Sequence, residues 1–219
     1  MYKKFKKVVD NNLKNKNHTK EIKAIIFDVG GVLLESSGKS VHEYIAKKLN
    51  IGLDEWFDVI EPYWEEMVKD ESTTSYAMLK VSRHFNISKH KLEKILILAF
   101  KRNFRKNKGV FKIAKKLRKN YKTAILSDQL SLSYEAFEKY KLDRLVNVSV
   151  WSQKEGIRKP NIEIYKRVMQ RLNVPAQYCL FIDNRDWNLV PAKNLKMKYI
   201  LFYNHKQLLN QLKTFGVKI

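Results

Sequence analysis

The stretch Ile25-Ile26-Phe27-Asp28-Val29-Gly30-Gly31-Val32-Leu33-Leu34 constrains the fold most. A continuous apolar run of this kind reads as a strand buried on both faces, and such strands belong to parallel sheets covered by helices. The run holds one carboxylate, Asp28, followed by two glycines. In open α/β sheets ligands bind at the carboxyl ends of strands. Glycine lets the backbone turn sharply and approach a ligand closely. On this stretch alone, a turn-capping Asp28 and a ligand-binding Asp28 stand level.

The same texture returns after residue 106 as helix-then-strand units. Gly109 to Asn120 is a basic amphipathic helix, and Thr123-Ala124-Ile125-Leu126-Ser127-Asp128 a buried strand. A helix over about 131–140 precedes a third strand at Leu145–Val150. A helix over about 161–172 precedes a fourth, Cys179–Asp183. A helix near 186–195 leads to a fifth, Tyr199–Tyr203, and a last helix closes the chain. Strands alternating with helices imply right-handed crossovers and a parallel sheet with helices on both faces, an α/β fold. Residues 40–105 differ. Val41, Tyr44, Ile45, Lys48 and Leu49, then Trp56, Phe57, Ile60, Trp64 and Met67, then Leu92, Ile95, Leu96 and Ala99 follow helical spacing with no strand-like alternation. The expected organisation is a basic arm at 1–20, an α/β core from 21–36 and 106–219, and an inserted helical block at 37–105. Aromatic residues at this spacing usually pack a core, and His42, His84 and His90 have no metal-ligand spacing.

The formal net charge is +22. A basic excess of that size raises nucleic acid, anionic membrane or phosphorylated partners. Residues 1–20 carry seven lysines and one aspartate, +6, which leaves +16 spread over the rest. That spread argues against nucleic acid as the main partner. No apolar run approaches the ~20 residues that cross a bilayer, and the basic start precedes too few apolar residues for a signal-peptide core. One cysteine, Cys179, excludes an intrachain disulfide and fits a reducing compartment. A cytoplasmic protein without membrane contact is expected. The oligomeric state is open.

Four polar clusters sit where strands end: Asp28, Ser127, Asp183, and the loop Gly156-Ile157-Arg158-Lys159-Pro160 after the third strand. All strand carboxyl ends of a parallel sheet share one edge, so these residues can converge. Two carboxylates, a hydroxyl and a lysine around one point suit a phosphate and a hard cation such as Mg²⁺, which takes carboxylate oxygens, waters and substrate phosphate.

The chain resembles the haloacid dehalogenase (HAD) superfamily, near its sugar-1-phosphatase-like branch and the phosphatase domain of soluble epoxide hydrolase. Phe27-Asp28-Val29-Gly30-Gly31-Val32-Leu33 matches the first motif and Ile125-Leu126-Ser127-Asp128 the second. Gly156–Pro160 with Glu163-Ile164-Tyr165 matches the third. Leu180-Phe181-Ile182-Asp183-Asn184 with Asn188 and Ala192 matches the fourth. The resemblance implies a Rossmann-like core with the helical block as cap. It implies a Mg²⁺-dependent phosphatase acting on a small phosphorylated metabolite through an aspartyl-phosphate. Asp28 would be the nucleophile. Asp28, the Gly30 carbonyl and Asp183 would hold the metal, and Ser127 and Lys159 the phosphate.

Four residues depart from the pattern. Gly30 stands where most HAD phosphatases carry an acid/base aspartate, although the sugar-1-phosphatase-like branch also shows glycine there. Without that group, proton transfer to the leaving oxygen loses a contribution of typically ~10²–10⁴-fold. Good leaving groups, such as anomeric sugar phosphates, are then favoured. Asn184 replaces a second acid near the metal, Asp128 a neutral asparagine, and Lys196 a helix-ending glycine. The alternatives are a non-catalytic HAD-like protein that binds an anionic partner and, less favoured, a haloacid dehalogenase.

Overall fold

The computed structural model describes residues 21–36 and 38–219; the arm at 1–20 lies outside the described residues. The central strand is β1 (Ala24–Phe27), followed by the two-residue β2 (Leu34–Glu35). Four helices come next: α1 (Gly38–Leu49), α2 (Leu53–Met67), α3 (Glu71–His84) and α4 (Lys89–Asn103). The chain returns through β3 (Arg105–Lys106), α5 (Lys108–Leu117), β4 (Lys122–Ser127), α6 (Ser131–Phe137) and α7 (Leu142–Leu145). It ends with β5 (Val148–Trp151), α8 (Ser152–Glu155), α9 (Ile162–Leu172), β6 (Cys179–Asp183), α10 (Asp186–Asn194), β7 (Lys198–Leu201) and α11 (His205–Thr214).

Five strands form one parallel sheet in the order β5-β4-β1-β6-β7. The apolar run places β1 at its centre because both faces of that strand need cover. Side chains alternate across it. Ile25 and Phe27 join Val110, Ala114, Leu208 and Leu212 from α5 and α11 on one face. Ala24 and Ile26 join Ile164, Val168, Leu189 and Ala192 from α9 and α10 on the other. Cys179 is buried there as a small hydrophobe, and burial pushes its thiol up to about 12.

The helices α1–α4 have their own apolar interior, with Trp56, Ile60, Met67, Met78, Val81 and Leu92 buried. It is continuous with the α5–α11 side of the sheet. Trp56 donates its indole N–H to His42 Nδ1 at 2.9 Å, so the one polar atom of the most buried tryptophan has a partner. Two helices of the block are capped by the side chain that precedes them. Asp70 accepts from Ser72 N–H and Ser88 from Lys91 N–H.

The structure differs from the reading of the sequence at several places; the fifth strand, for one, spans Lys198–Leu201 rather than Tyr199–Tyr203. The third strand begins at Val148, not Leu145, because Leu142–Leu145 closes a helical turn that buries Leu142 and Leu145. Asn147 then accepts the Thr123 N–H at the strand entrance (2.8 Å). The β2–β3 pair was not anticipated: Leu34 pairs with Lys106 and Glu35 with Arg105, antiparallel, so the two ends of the helical block meet. Two-residue strands carry too few positions for a period to show. Among the described residues no helix is long and apolar enough to cross a membrane.

Candidate active site

Register explains why distant residues meet. Phe27 lies level with Ile125 on β4 and with Ile182 on β6. One step further along the sheet, Asp28 stands beside Asp183, and the Asp28 N–H donates to the Ile182 carbonyl (2.9 Å). Ser127 ends the other neighbouring strand. After Asp28 the chain reverses, with Gly31 N–H donating to Leu34 O (2.7 Å) and Leu34 N–H to Val29 O (2.8 Å). Gly31 has φ +85°, and a Cβ there would come within 2.3 Å of Asn184 Nδ2. The left-handed backbone favours glycine at 31, and a side chain there would also have to push Asn184 aside. Gly30 has neither constraint: no heavy atom lies within 4 Å of a Cβ built on it.

Lys159 reaches into this rim from the loop between α8 and α9. Its ammonium donates to Asp28 Oδ1 and to Asp183 Oδ2, each at 2.7 Å, with the side chain 2% exposed. The loop is held by Asp128, which accepts the Lys159 N–H (3.0 Å) on one oxygen and faces Arg158 Nε (3.7 Å) with the other. Asp128 is thus engaged with the loop that delivers the lysine. Asp183 is fully buried. It accepts from Arg185 N–H (2.8 Å) and from Asn188 Nδ2 (3.0 Å) as well as from Lys159. Tyr165 in turn donates its hydroxyl to the Asn188 carbonyl (2.6 Å).

Burial raises Asp28 to about 6; Lys159 opposes that rise and Asp183 adds to it. Burial alone would lower Lys159, but the carboxylates of Asp183 and Asp28 outweigh it and hold the ammonium above its ordinary range. Ser127 is buried at the adjacent strand end, where its Oγ accepts from Gln129 Nε2 (3.0 Å). The structure therefore puts Asp28, Asp183 and Lys159 in direct contact and Ser127 on the next strand.

The donor set fits a hard divalent cation. Two carboxylates face one ammonium, leaving one negative charge in excess on Asp28, Asp183 and Lys159. The hydrogen bonds of the 29–34 turn use the carbonyls of Val29 and Leu34, leaving that of Gly30 out of them. Among the described residues no cluster of three or more His, Cys, Asp or Glu could hold a metal. A thiolate- or imidazole-based centre is not built from these described residues. Two carboxylates and a carbonyl, completed by water and phosphate oxygens, match Mg²⁺ chemistry.

A cavity of about 470 Å³ opens beside Lys159. It is lined by residues 156–161 and, from the last turn of α2 and the turn that follows it, by Glu65 and Lys69. Lys69 pairs with Glu66 (2.8 Å) and Glu65 (3.3 Å). Trp56, on the same helix, is 1% exposed and part of the apolar interior.

A family model described as haloacid dehalogenase-like hydrolase matches residues 22–196. The chain belongs to the HAD-like hydrolases. A curated relative, glyceraldehyde 3-phosphate phosphatase from Pyrococcus abyssi, is 29% identical over 97 residues, 43% of this chain and 41% of that protein. The match thus spans less than half of the relative's length. Among solved structures, a HAD family enzyme from Bacteroides thetaiotaomicron, crystallised with magnesium and inorganic phosphate, is 19% identical with a TM-score of 0.68. That alignment covers 84% of this chain and 95% of the other. A predicted HAD-like family hydrolase from Porphyromonas gingivalis is 19% identical with a TM-score of 0.72, over 91% and 100% of the two chains. At these identities the likeness establishes the HAD fold alone.

One member of the site's surroundings was not legible in the sequence. Gln129 is buried and polar, and it touches Ser127. No motif marks it, because a glutamine two residues past a strand end is ordinarily a solvated loop residue.

Proposed function

We propose that this HAD-like hydrolase is a Mg²⁺-dependent phosphomonoesterase acting on a small phosphorylated metabolite. The observation that carries the reading is the Asp28–Lys159–Asp183 contact at the rim. Asp28 attacks phosphorus; the phosphorus–leaving-group bond breaks as an aspartyl-phosphate forms, and water then displaces Asp28 to release phosphate. Bound Mg²⁺ would supply charge stabilisation at the phosphoryl oxygens, held by Asp28, Asp183 and the Gly30 carbonyl. Lys159 keeps its proton and offers a fixed positive charge to the same oxygens, while Ser127 supplies a neutral donor. The phosphatase name of the archaeal relative and the magnesium and phosphate in the bacterial neighbour support this reading.

The helices α1–α4 act as a cap, a reading supported by Glu65 and Lys69, which line the cavity beside Lys159. With glycine at 30, no side chain there protonates the departing oxygen, so good leaving groups are preferred. Anomeric sugar phosphates and aryl phosphates are the best candidates. A substrate panel with Mg²⁺ and with EDTA tests both parts. The expected order is nitrophenyl phosphate and hexose 1-phosphate well above glycerol phosphate, all abolished by EDTA. Equal rates on nitrophenyl and glycerol phosphate would remove the leaving-group preference, and metal-independent turnover would remove the Mg²⁺ role.

A further inference from the structure

Ser127 carries one hydroxyl proton, and that proton can face inward or toward the rim. If the hydroxyl donates inward, it presents only lone pairs to an incoming phosphate, and two sets of lone pairs repel. The direction is therefore a binding variable, and the neighbours of Ser127 control it.

Gln129 is the neighbour that decides. Its side-chain amide donates from Nε2 to Ser127 Oγ at 3.0 Å. Its Oε1 accepts from Ser133 Oγ at 2.6 Å. Its backbone N–H is fixed by Ser152 Oγ at 2.9 Å. All four residues are buried, at 1%, 5%, 3% and 0% exposure for Ser127, Gln129, Ser133 and Ser152. Buried polar groups must satisfy one another, so each neighbour constrains the next one's proton. With Gln129 as donor, the inward lone pair of Ser127 is filled and its proton is left for the rim. Ser133 anchors α6 on the far side, where its Oγ also lies 2.8 Å from the Leu130 carbonyl.

We propose that Gln129 is a positioning residue that orients the Ser127 hydroxyl as a donor to the phosphoryl group. The inference rests on the phosphatase reading, since it gives Ser127 a phosphate to bind. It reaches beyond that reading by assigning a role to a residue outside the four motifs. A carboxylate at 129 has nearly the same size but can only accept, so it would draw the Ser127 proton inward and turn a donor into a repulsive acceptor.

The test is a double-mutant cycle read by inorganic phosphate as the competitive inhibitor, in Mg²⁺. Ser127→Ala should weaken phosphate inhibition about tenfold, the scale of one hydrogen bond to a charged group. Gln129→Glu should weaken it at least as much, although residue 129 does not touch the phosphate. Gln129→Met, which removes the donor without adding an acceptor, should weaken it by about threefold or less. In the Ser127→Ala background Gln129→Met should not alter the inhibition further, because the hydroxyl it orients is gone, and Gln129→Glu should keep only the smaller part of its effect that comes from the added charge. Thermal melts of each variant report folding separately, and Gln129→Met supplies the cycle if Gln129→Glu does not fold. Effects at 129 that persist undiminished without the Ser127 hydroxyl would overturn the proposal, as would a Gln129→Glu variant that phosphate inhibits as strongly as it inhibits the wild type. Wild-type protein indifferent to phosphate would instead overturn the phosphatase reading, and this inference with it.

Discussion

The sheet rim and the helical block are both buried, but they use burial in opposite ways. In the block, Trp56, Ile60, Met67 and Leu92 exclude water around side chains that carry almost no polar atoms. The His42–Trp56 bond satisfies one unavoidable indole N–H. At the rim, burial encloses charge. Asp183 is fully buried, Lys159 is 2% exposed, and each is fixed by several hydrogen-bond partners. Low-dielectric surroundings strengthen those interactions and make each broken one costly. The block thus derives stability from apolar area, whereas the rim spends it to hold a few charges where an anion and a cation can meet.

If that contrast holds, Trp56→Ala should lower unfolding free energy by about 3–5 kcal/mol, the cost of an emptied aromatic site, measured by chemical denaturation. Its kcat for nitrophenyl phosphate, per folded molecule, should change little. A collapse of kcat in the folded variant would show that the block contributes to the chemistry directly. Gly30→Asp makes the converse test, since the position has open space for a side chain. It should raise turnover of glycerol phosphate by about 10²-fold, equivalent to ~2.7 kcal/mol of barrier, while nitrophenyl phosphate gains far less.

A smaller effect should come from Glu155, which supports the start of the 156–161 loop. Burial alone would raise its carboxyl, but hydrogen bonds from Arg171 and Arg167 hold it below the ordinary 4.5. A depressed pKa means the stabilisation is complete above the unfolded value and is lost as pH falls through the lower folded value. Glu155→Gln should therefore cost about 1 kcal/mol at pH 7, with the half-exposed arginines limiting the size. The difference from wild type should vanish well below pH 4.5, followed by urea titration at several pH values. Smallest of all is Lys196, which ends α10 in the left-handed region at φ +63°. The Met197 N–H bonds back to Ala192 O and the Lys196 N–H to Lys193 O. Lys196→Gly should stabilise by up to about 1 kcal/mol with no change in activity.

The rim was the more legible region. Asp28, Ser127 and Asp183 announced themselves because each terminates an apolar run, and a parallel sheet has only one edge for such ends to share. Lys159 was readable because Gly156-Ile157-Arg158-Lys159-Pro160 is a compact motif. Geometry added what letters could not. Asp128 faces the lysine loop, and Asn184 leans over Gly31. Side-chain direction at a strand end depends on loops whose conformation has no period. In the block, helical spacing marked Val41, Ile45, Trp56, Ile60, Met67, Leu92, Ile95, Leu96 and Ala99, which are buried, but also Tyr44, Leu49, Phe57 and Trp64, which are only partly so, and Lys48, which is exposed. Spacing did not say that Glu65 and Lys69 would line the cavity, because exposed charged residues look alike on every helix. Gln129 was hidden for the opposite reason: its polar side chain gave no hint of burial.

The most direct measurement is chemical trapping of the intermediate. The enzyme is quenched in acid during turnover of nitrophenyl phosphate with Mg²⁺, reduced with borohydride, digested, and mapped by mass spectrometry. An aspartyl-phosphate mechanism predicts reduction of one carboxyl group, that of Asp28, in turnover samples and none in samples lacking substrate. Steady turnover with Asp28 unmodified and the label on another residue would contradict the mechanism.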